Sequence, residues 1–192
     1  IDRLGYDNRF TIYDTDDQKT LMKEVCRKTD IDTKRFKERM LLSVISSAKN
    51  EMILPEEFEL NAGGDFVQLK IAKVYKEYEA QMRANNALDF DDLLVKTVQL
   101  LETQPDVREN YQERFRYIMV DEYQDTNELQ DAILSLVSRN AAENTYANLF
   151  LVGDVKQSIY GFRQARPDLF IEKYKNYNLS LIHISEPTRL RR

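Results

Sequence analysis

Two short apolar runs in this chain each end in a polar cluster equipped to handle a phosphate group. Tyr117-Ile118-Met119-Val120 leads into Asp121-Glu122-Tyr123-Gln124-Asp125. Asn148-Leu149-Phe150-Leu151-Val152 leads into Gly153-Asp154 and then Lys156-Gln157-Ser158-Ile159-Tyr160-Gly161-Phe162-Arg163. Each apolar run is too short for a helix and reads as a buried strand. An aspartate at the carboxyl end of a strand can hold Mg2+ directly or through water, and a neighbouring glutamate can orient or deprotonate an attacking water. Phosphoryl transfer requires both tasks. A bare Asp-Glu pair is also what a solvated loop or a helix start shows, so the chemistry has to be argued from the longer strings.

The elements around these clusters must bring them together. A helical stretch from Asn127 to Arg139 lies between the two runs. Strand, helix, strand predicts parallel pairing through a right-handed crossover, with both clusters at one edge of the sheet, where open α/β sheets bind ligands. Upstream, Thr15 and Gln18 have capping-box spacing for a helix to about Lys28. Asp32 or Thr33 is the expected cap of a second helix, with Leu41, Val44, Ile45 and Ala48 on one face. Pro55 marks a loop and Asn61-Ala62-Gly63-Gly64 a turn. Beyond it Val67, Ile71, Val74, Tyr75, Tyr78 and Met82 form an apolar stripe at helical spacing. Tyr75 and Tyr78 could stack on bases, but that spacing is what a core-facing helix shows. Asp89 is the expected cap of the helix carrying Leu93, Leu94, Val98 and Leu101. Asp91 and Asp92 fit its first turn, where the helix dipole favours carboxylates. Pro105 suits the first turn of a short helix to Phe115.

Composition sets bounds. The chain has 192 residues, 42% hydrophobic and 32% charged, enough for one ordinary domain or two small ones. It contains no run of eighteen apolar residues and no signal peptide, so no membrane partner is expected. One cysteine, Cys26, excludes a disulfide framework or a cysteine-based zinc site, suits a reducing cytoplasm, and reads as packing. A net charge of −5 argues against holding nucleic acid by bulk charge, so any DNA contact must be local or completed by segments not present here. The start at Ile1, without methionine, reads as the middle of a longer chain.

VDEYQDTN and VGDVKQSIYGFR closely resemble motifs II and III of the UvrD/PcrA/Rep group of superfamily 1 DNA helicases. The likeness extends through FTIYDTDDQ, NALDFDDLL and ARPDLFIEKYKNY, covering nearly all of residues 9 to 178. It implies an α/β fold: part of a RecA-like P-loop NTPase motor domain with a parallel sheet at 86–178, preceded by a helical subdomain at 1–85 like the insertion usually called 1B. It implies ATP as substrate with Mg2+ as cofactor, and single-stranded DNA or single-strand/duplex junctions as partner. Asp121 would be the Mg2+ carboxylate, Glu122 the group that activates water, Gln124 a sensor of nucleotide state and Gln157 the glutamine that reaches the γ-phosphate. Tyr160 and Phe162 would line base pockets, Arg163 would link those two sites, and Phe90 would lie near the single-stranded track or serve as a buried first-turn anchor. Bases stacked on such rings gain roughly 1 to 3 kcal/mol each without sequence preference. Phe162 stands where UvrD and PcrA commonly carry tryptophan.

Three features depart from the pattern. The chain has five glycines and nowhere contains G-x-x-x-x-G-K-S/T, so as written it lacks the phosphate cradle and should not hydrolyse ATP. From Leu179, LSLIHISEPTR and Leu190-Arg191-Arg192 resemble a translated sequencing adapter, which removes His183, the one histidine, from consideration. Finally, ILSLVSR, VGDVKQSIY and ARPDLFIEKYKNY lean toward AddA, a helicase-nuclease subunit, which would bring an AddB-like or other repair-protein partner. Either a single divergent gene or two genes joined at VDEYQDTN accounts for that. The expectation is a fragment of a 3′-to-5′ DNA helicase of repair or recombination. The alternatives are an AddA-type fragment and a non-catalytic helical interaction remnant.

Overall fold

The computed structural model describes residues 1–139, 148–154 and 165–176. The first helix, α1 (Thr15–Lys28), starts from Asp14 rather than from Thr15. The Asp14 carboxylate accepts from the backbone N–H groups of Asp16 and Asp17, and Asp17 accepts from the N–H of Asp14. A charged acceptor at a helix start outcompetes a hydroxyl one residue later, which moves the cap by one position from the Thr15–Gln18 expectation. The second helix, α2 (Glu38–Asn50), begins later than Asp32 or Thr33 would place it, and Lys37 at its start contributes no side-chain cap. Asp32 instead closes a turn by accepting from the N–H of Lys34, and Phe36 is buried in the core before α2 begins. Pro55 is the first residue of a short helix, α3 (Pro55–Asn61), rather than a loop marker, because proline has no N–H to waste in a first turn.

Asp65 caps the long helix α4 (Phe66–Ala84), accepting from the N–H groups of Val67 and Gln68. Its buried stripe of Ile71, Val74, Tyr75, Tyr78 and Met82 meets Leu21, Met22, Val25 and Cys26 of α1 and Leu41, Ile45 and Ala48 of α2 in one apolar core. Tyr75 and Tyr78 are therefore core residues, as their spacing suggested. A two-residue parallel pairing closes this unit, β1 (Thr11–Ile12) against β2 (Ala87–Leu88).

The second half contains α5 (Phe90–Thr103), α6 (Pro105–Arg114), β3 (Ile118–Val120), a 3-10 turn at Tyr123–Asp125, α7 (Glu128–Val137), β4 (Leu149–Leu151) and α8 (Pro167–Asn176). The strands β3 and β4 pair in parallel, with Ile118 opposite Leu149, Met119 opposite Phe150 and Val120 opposite Leu151. This is the pairing the strand-helix-strand order predicts. The strand itself is less buried than expected: Met119 is 76% and Phe150 54% exposed, while their neighbours in each strand are half-buried. Alternate side chains point to opposite faces of a strand, and among the described residues only one face is covered. In the same half α5 and α7 meet through Val95, Val98 and the fully buried Leu129, with Leu94, Ile133 and Met52 around them.

Candidate active site

Backbone pairing of β3 with β4 sets the site. Val152 N–H donates to the Val120 carbonyl and Tyr123 N–H donates to the Val152 carbonyl, so the chain turns at Asp121-Glu122 beside the end of β4. Both carboxylate residues are exposed there. Asp121 Oδ1 accepts from the N–H of Glu122 at 2.9 Å. Glu122 occupies the left-handed region at φ 55°, ψ 37°, a conformation uncommon for a residue with a Cβ and one that concentrates at functional sites.

Gln124 joins the two clusters. It is 1% exposed, its Nε2 donates to Glu122 Oε2 at 2.5 Å, and its Oε1 accepts from the backbone N–H of Asp154 at 3.0 Å. The carboxamide thus orients the Glu122 carboxylate while reading the position of the segment after β4. Gly153 makes this fit possible, since a Cβ there would lie 2.6 Å from Gln124 Oε1 and 3.3 Å from the Gln124 nitrogen. From beneath, Tyr123 is buried, its hydroxyl donates to Asp131 Oδ1 at 2.5 Å, and its ring packs on Phe170 of α8. Lys173 of α8 pairs with the same Asp131 at 2.8 Å.

Asp121 and Glu122 open onto a cleft of about 510 Å3, also lined by Asp125, Thr126, Ile133 and Leu94. That volume falls within the range of small-molecule sites. Its hard carboxylate oxygens fit Mg2+, which is commonly held by one or two carboxylates and completes its shell with water and phosphate oxygens. Leu94 lies one turn beyond Phe90 on the same face of α5. Phe90 is 62% exposed, so the reading of it as a buried anchor is corrected: as the first residue of α5 it projects before the packed part of the helix begins. Gln157, Tyr160, Phe162 and Arg163 lie outside the described residues, as does everything from residue 177 on.

Asp92 is a first-turn residue of α5, as expected, and it is also 2% exposed and 2.8 Å from Lys49 Nζ, which lies 2.8 Å from Asp89 Oδ2 and 2.8 Å from Glu79 Oε1 as well. Burial first, and then the carboxylates of Glu79 and Asp89, push the Asp92 carboxyl up to about 7 against the pull of Lys49. Lys49, surrounded by three carboxylates, is held charged despite its burial. Gly153 and the backbone of Asp154 shape the site, Lys49 and Asn50 hold the starts of α5 and α7 outside it, and the sequence reading missed the part of all four. Asp154 acts through its N–H, which side-chain chemistry cannot signal, and Lys49 and Asn50 lie far along the chain from their partners.

Fold and site together define a class: an α/β unit in which a parallel strand delivers an Asp-Glu pair to an open cleft, wired to the end of the next strand. The chain belongs to the UvrD/REP helicase N-terminal domain family, whose model matches residues 1–178. It is 46% identical over 164 residues to the protein named ATP-dependent DNA helicase PcrA in Staphylococcus epidermidis, covering 85% of this chain and 22% of that relative. It is 42% identical over 176 residues to the PcrA of Staphylococcus aureus, covering 92% of this chain and 23% of that relative. The chain thus spans less than a quarter of the length of these relatives.

Proposed function

We propose that this chain is part of the first motor domain of an ATP-dependent DNA helicase that moves 3′-to-5′ on single-stranded DNA in repair or recombination. In this reading residues 86–178 contribute to a RecA-like P-loop sheet, residues 1–85 form the helical subdomain, and the protein works in the bacterial cytoplasm. No described helix is long and apolar enough to cross a membrane. The observation that carries the proposal is the turn after β3, where Asp121 and a left-handed Glu122 are held side by side and Gln124 fixes Glu122 to the segment after β4.

Asp121 would hold Mg2+, which when bound offsets negative charge on the phosphates of ATP. Glu122 accepts a proton from, or orients, the water that attacks the γ-phosphate. The Gln124 bond keeps its carboxylate from turning away. Because Gln124 also accepts from Asp154, a displacement of the segment after β4 moves Glu122. That segment leads into Gln157, Tyr160, Phe162 and Arg163, the residues proposed to contact nucleotide and bases, and Phe90 supplies an exposed ring on α5. Nucleotide state and strand position are thereby mechanically joined. The 192 residues contain no phosphate loop, so this chain by itself is expected to be inactive.

The test is Glu122→Gln in the full-length helicase that contains this chain. DNA-stimulated ATP hydrolysis should fall by about 100-fold or more while nucleotide binding persists, since general-base groups contribute that much. An undiminished rate would overturn the assignment. A second reading, an AddA-type helicase-nuclease subunit with an AddB-like partner, draws on VGDVKQSIY and ARPDLFIEKYKNY. A nuclease domain in the same polypeptide distinguishes it.

A further inference from the structure

We propose that Asn50 is a positioning residue that locks the Phe90 end of α5 to the loop carrying Asp121 and Glu122, with Lys49 beside it anchoring α2. The inference rests on the helicase reading above, which it deepens by naming how the two sites are held in register.

Lys49 and Asn50 are consecutive residues in the last turn of α2, and between them they grip the starts of two other helices. The start of α5 is a reciprocal cap, in which Asp92 N–H donates to Asp89 Oδ1 at 2.8 Å and Asp89 N–H donates to Asp92 Oδ2 at 3.2 Å. Lys49 Nζ reaches the remaining oxygens of both carboxylates, and the Tyr78 hydroxyl donates to Asp89 Oδ2 at 3.3 Å. Phe90 sits inside that cap, so its backbone is fixed on either side while its ring stays exposed.

Asn50 makes the second grip. Its Nδ2 donates to Asp91 Oδ1 at 3.1 Å and to the Ser46 carbonyl at 2.8 Å, and its Oδ1 accepts from Asn127 Nδ2 at 3.1 Å. Asn127 is the cap of α7, accepting from the N–H of Gln130 at 2.9 Å, and only Thr126 separates it from the Tyr123–Asp125 turn. A single planar amide thus donates to α5 and accepts from α7. Only a side chain with both a donor and an acceptor on one rigid head can do this. A well-packed apolar contact would stabilise these helices as much as buried ions and amides do. What the polar arrangement adds is direction, because each bond is satisfied in one relative placement of α2, α5 and α7.

Hydrogen exchange of backbone amides in the 192-residue chain tests the lock without requiring catalysis. Asn50→Ala should speed exchange about fivefold in both segments 90–95 and 123–130, the factor expected on losing one hydrogen bond, with α1 unchanged. Asn50→Asp keeps the acceptor for Asn127 but sets a carboxylate against Asp91, so exchange should rise at 90–95 and stay near the wild-type rate at 123–130. Changes confined to α2, or equal loosening of both segments in both variants, overturn the proposal. In the full-length helicase Asn50→Ala should lower the DNA-stimulated kcat about fivefold with KM for ATP and the DNA-free rate unchanged. Undiminished stimulation in that variant, where the wild type is stimulated, overturns the positioning role. A wild type that DNA does not stimulate refutes the helicase reading, while the exchange pattern still decides the lock.

Discussion

Glu122 holds a left-handed backbone that a side chain with a Cβ adopts at a cost of about 1 to 2 kcal/mol, and the residues around it make that conformation the one that is populated. Gln124 is the chief of these, bonded both to the Glu122 carboxylate and to the Asp154 backbone. The absence of a side chain at Gly153 matters as much as any side chain present. Gly153→Ala would place a methyl carbon 2.6 Å from Gln124 Oε1, with the Gln124 nitrogen and the Phe170 ring close on other sides. Overpacking of this kind should destabilise the chain by about 1 to 3 kcal/mol in urea unfolding. Removing the crowded group should relieve it. The Gln124→Ala/Gly153→Ala double variant is expected to cost less than the sum of the single changes, and strict additivity would show that Gly153 and Gln124 do not meet.

Among the elements, the start of α5 combines a cap that is local with an ion cluster that is not. Asp92, pushed up to about 7 mainly by burial, binds its proton more tightly in the folded chain than in the unfolded one. Its contribution to stability is therefore fully present below about pH 4 and is lost as pH rises through 7. Lys49 of α2, Glu79, Tyr75 and Tyr78 of α4, and Asp89 beside it all face this carboxyl. Wild type should lose stability relative to Asp92→Asn between pH 5 and pH 8, as read by the urea midpoint of each at several pH values. A flat difference would mean that Asp92 stays ionised in the fold. Lys49→Met removes the cation from three carboxylates and should cost about 3 to 5 kcal/mol at pH 7. That loss should shrink toward pH 5, where the carboxylates can take up protons.

Among the described residues there are two apolar centres, one among α1, α2 and α4 and a smaller one between α5 and α7. Met52, just past α2, packs on the second, and β1 and β2 tie the beginning of the first unit to the segment that starts the second. The two centres are therefore joined by packed and hydrogen-bonded residues. Leu129 is fully buried at the α5–α7 contact, so Leu129→Ala should cost about 2 to 5 kcal/mol. Met119→Lys and Phe150→Lys change the exposed face of the β3–β4 pair and should each stay within about 0.5 kcal/mol of wild type. Thermal unfolding of the three variants checks the contrast, and a large loss from either lysine would show that this face is packed in solution.

The sequence by itself determined what is short-range. The cap at Asp89, the helix that starts at Asn127, the apolar stripe of α4, each of the short strands β3 and β4 and the acidic turn after β3 all follow from residues two to four positions apart, which the periods of strand and helix bring together. The family resemblance was legible for the same reason, in contiguous strings. Tertiary structure alone decided which polar groups meet across the chain. Lys49 finds Asp89 forty residues on, Asn50 finds Asn127 seventy-seven residues on, and Gln124 finds the Asp154 backbone thirty residues on. Nothing local distinguishes a buried lysine in a helix's last turn from a solvated one. The burial of α2 against α4 and α5 removes water from that ammonium, and only then do three distant carboxylates become the partners it must have.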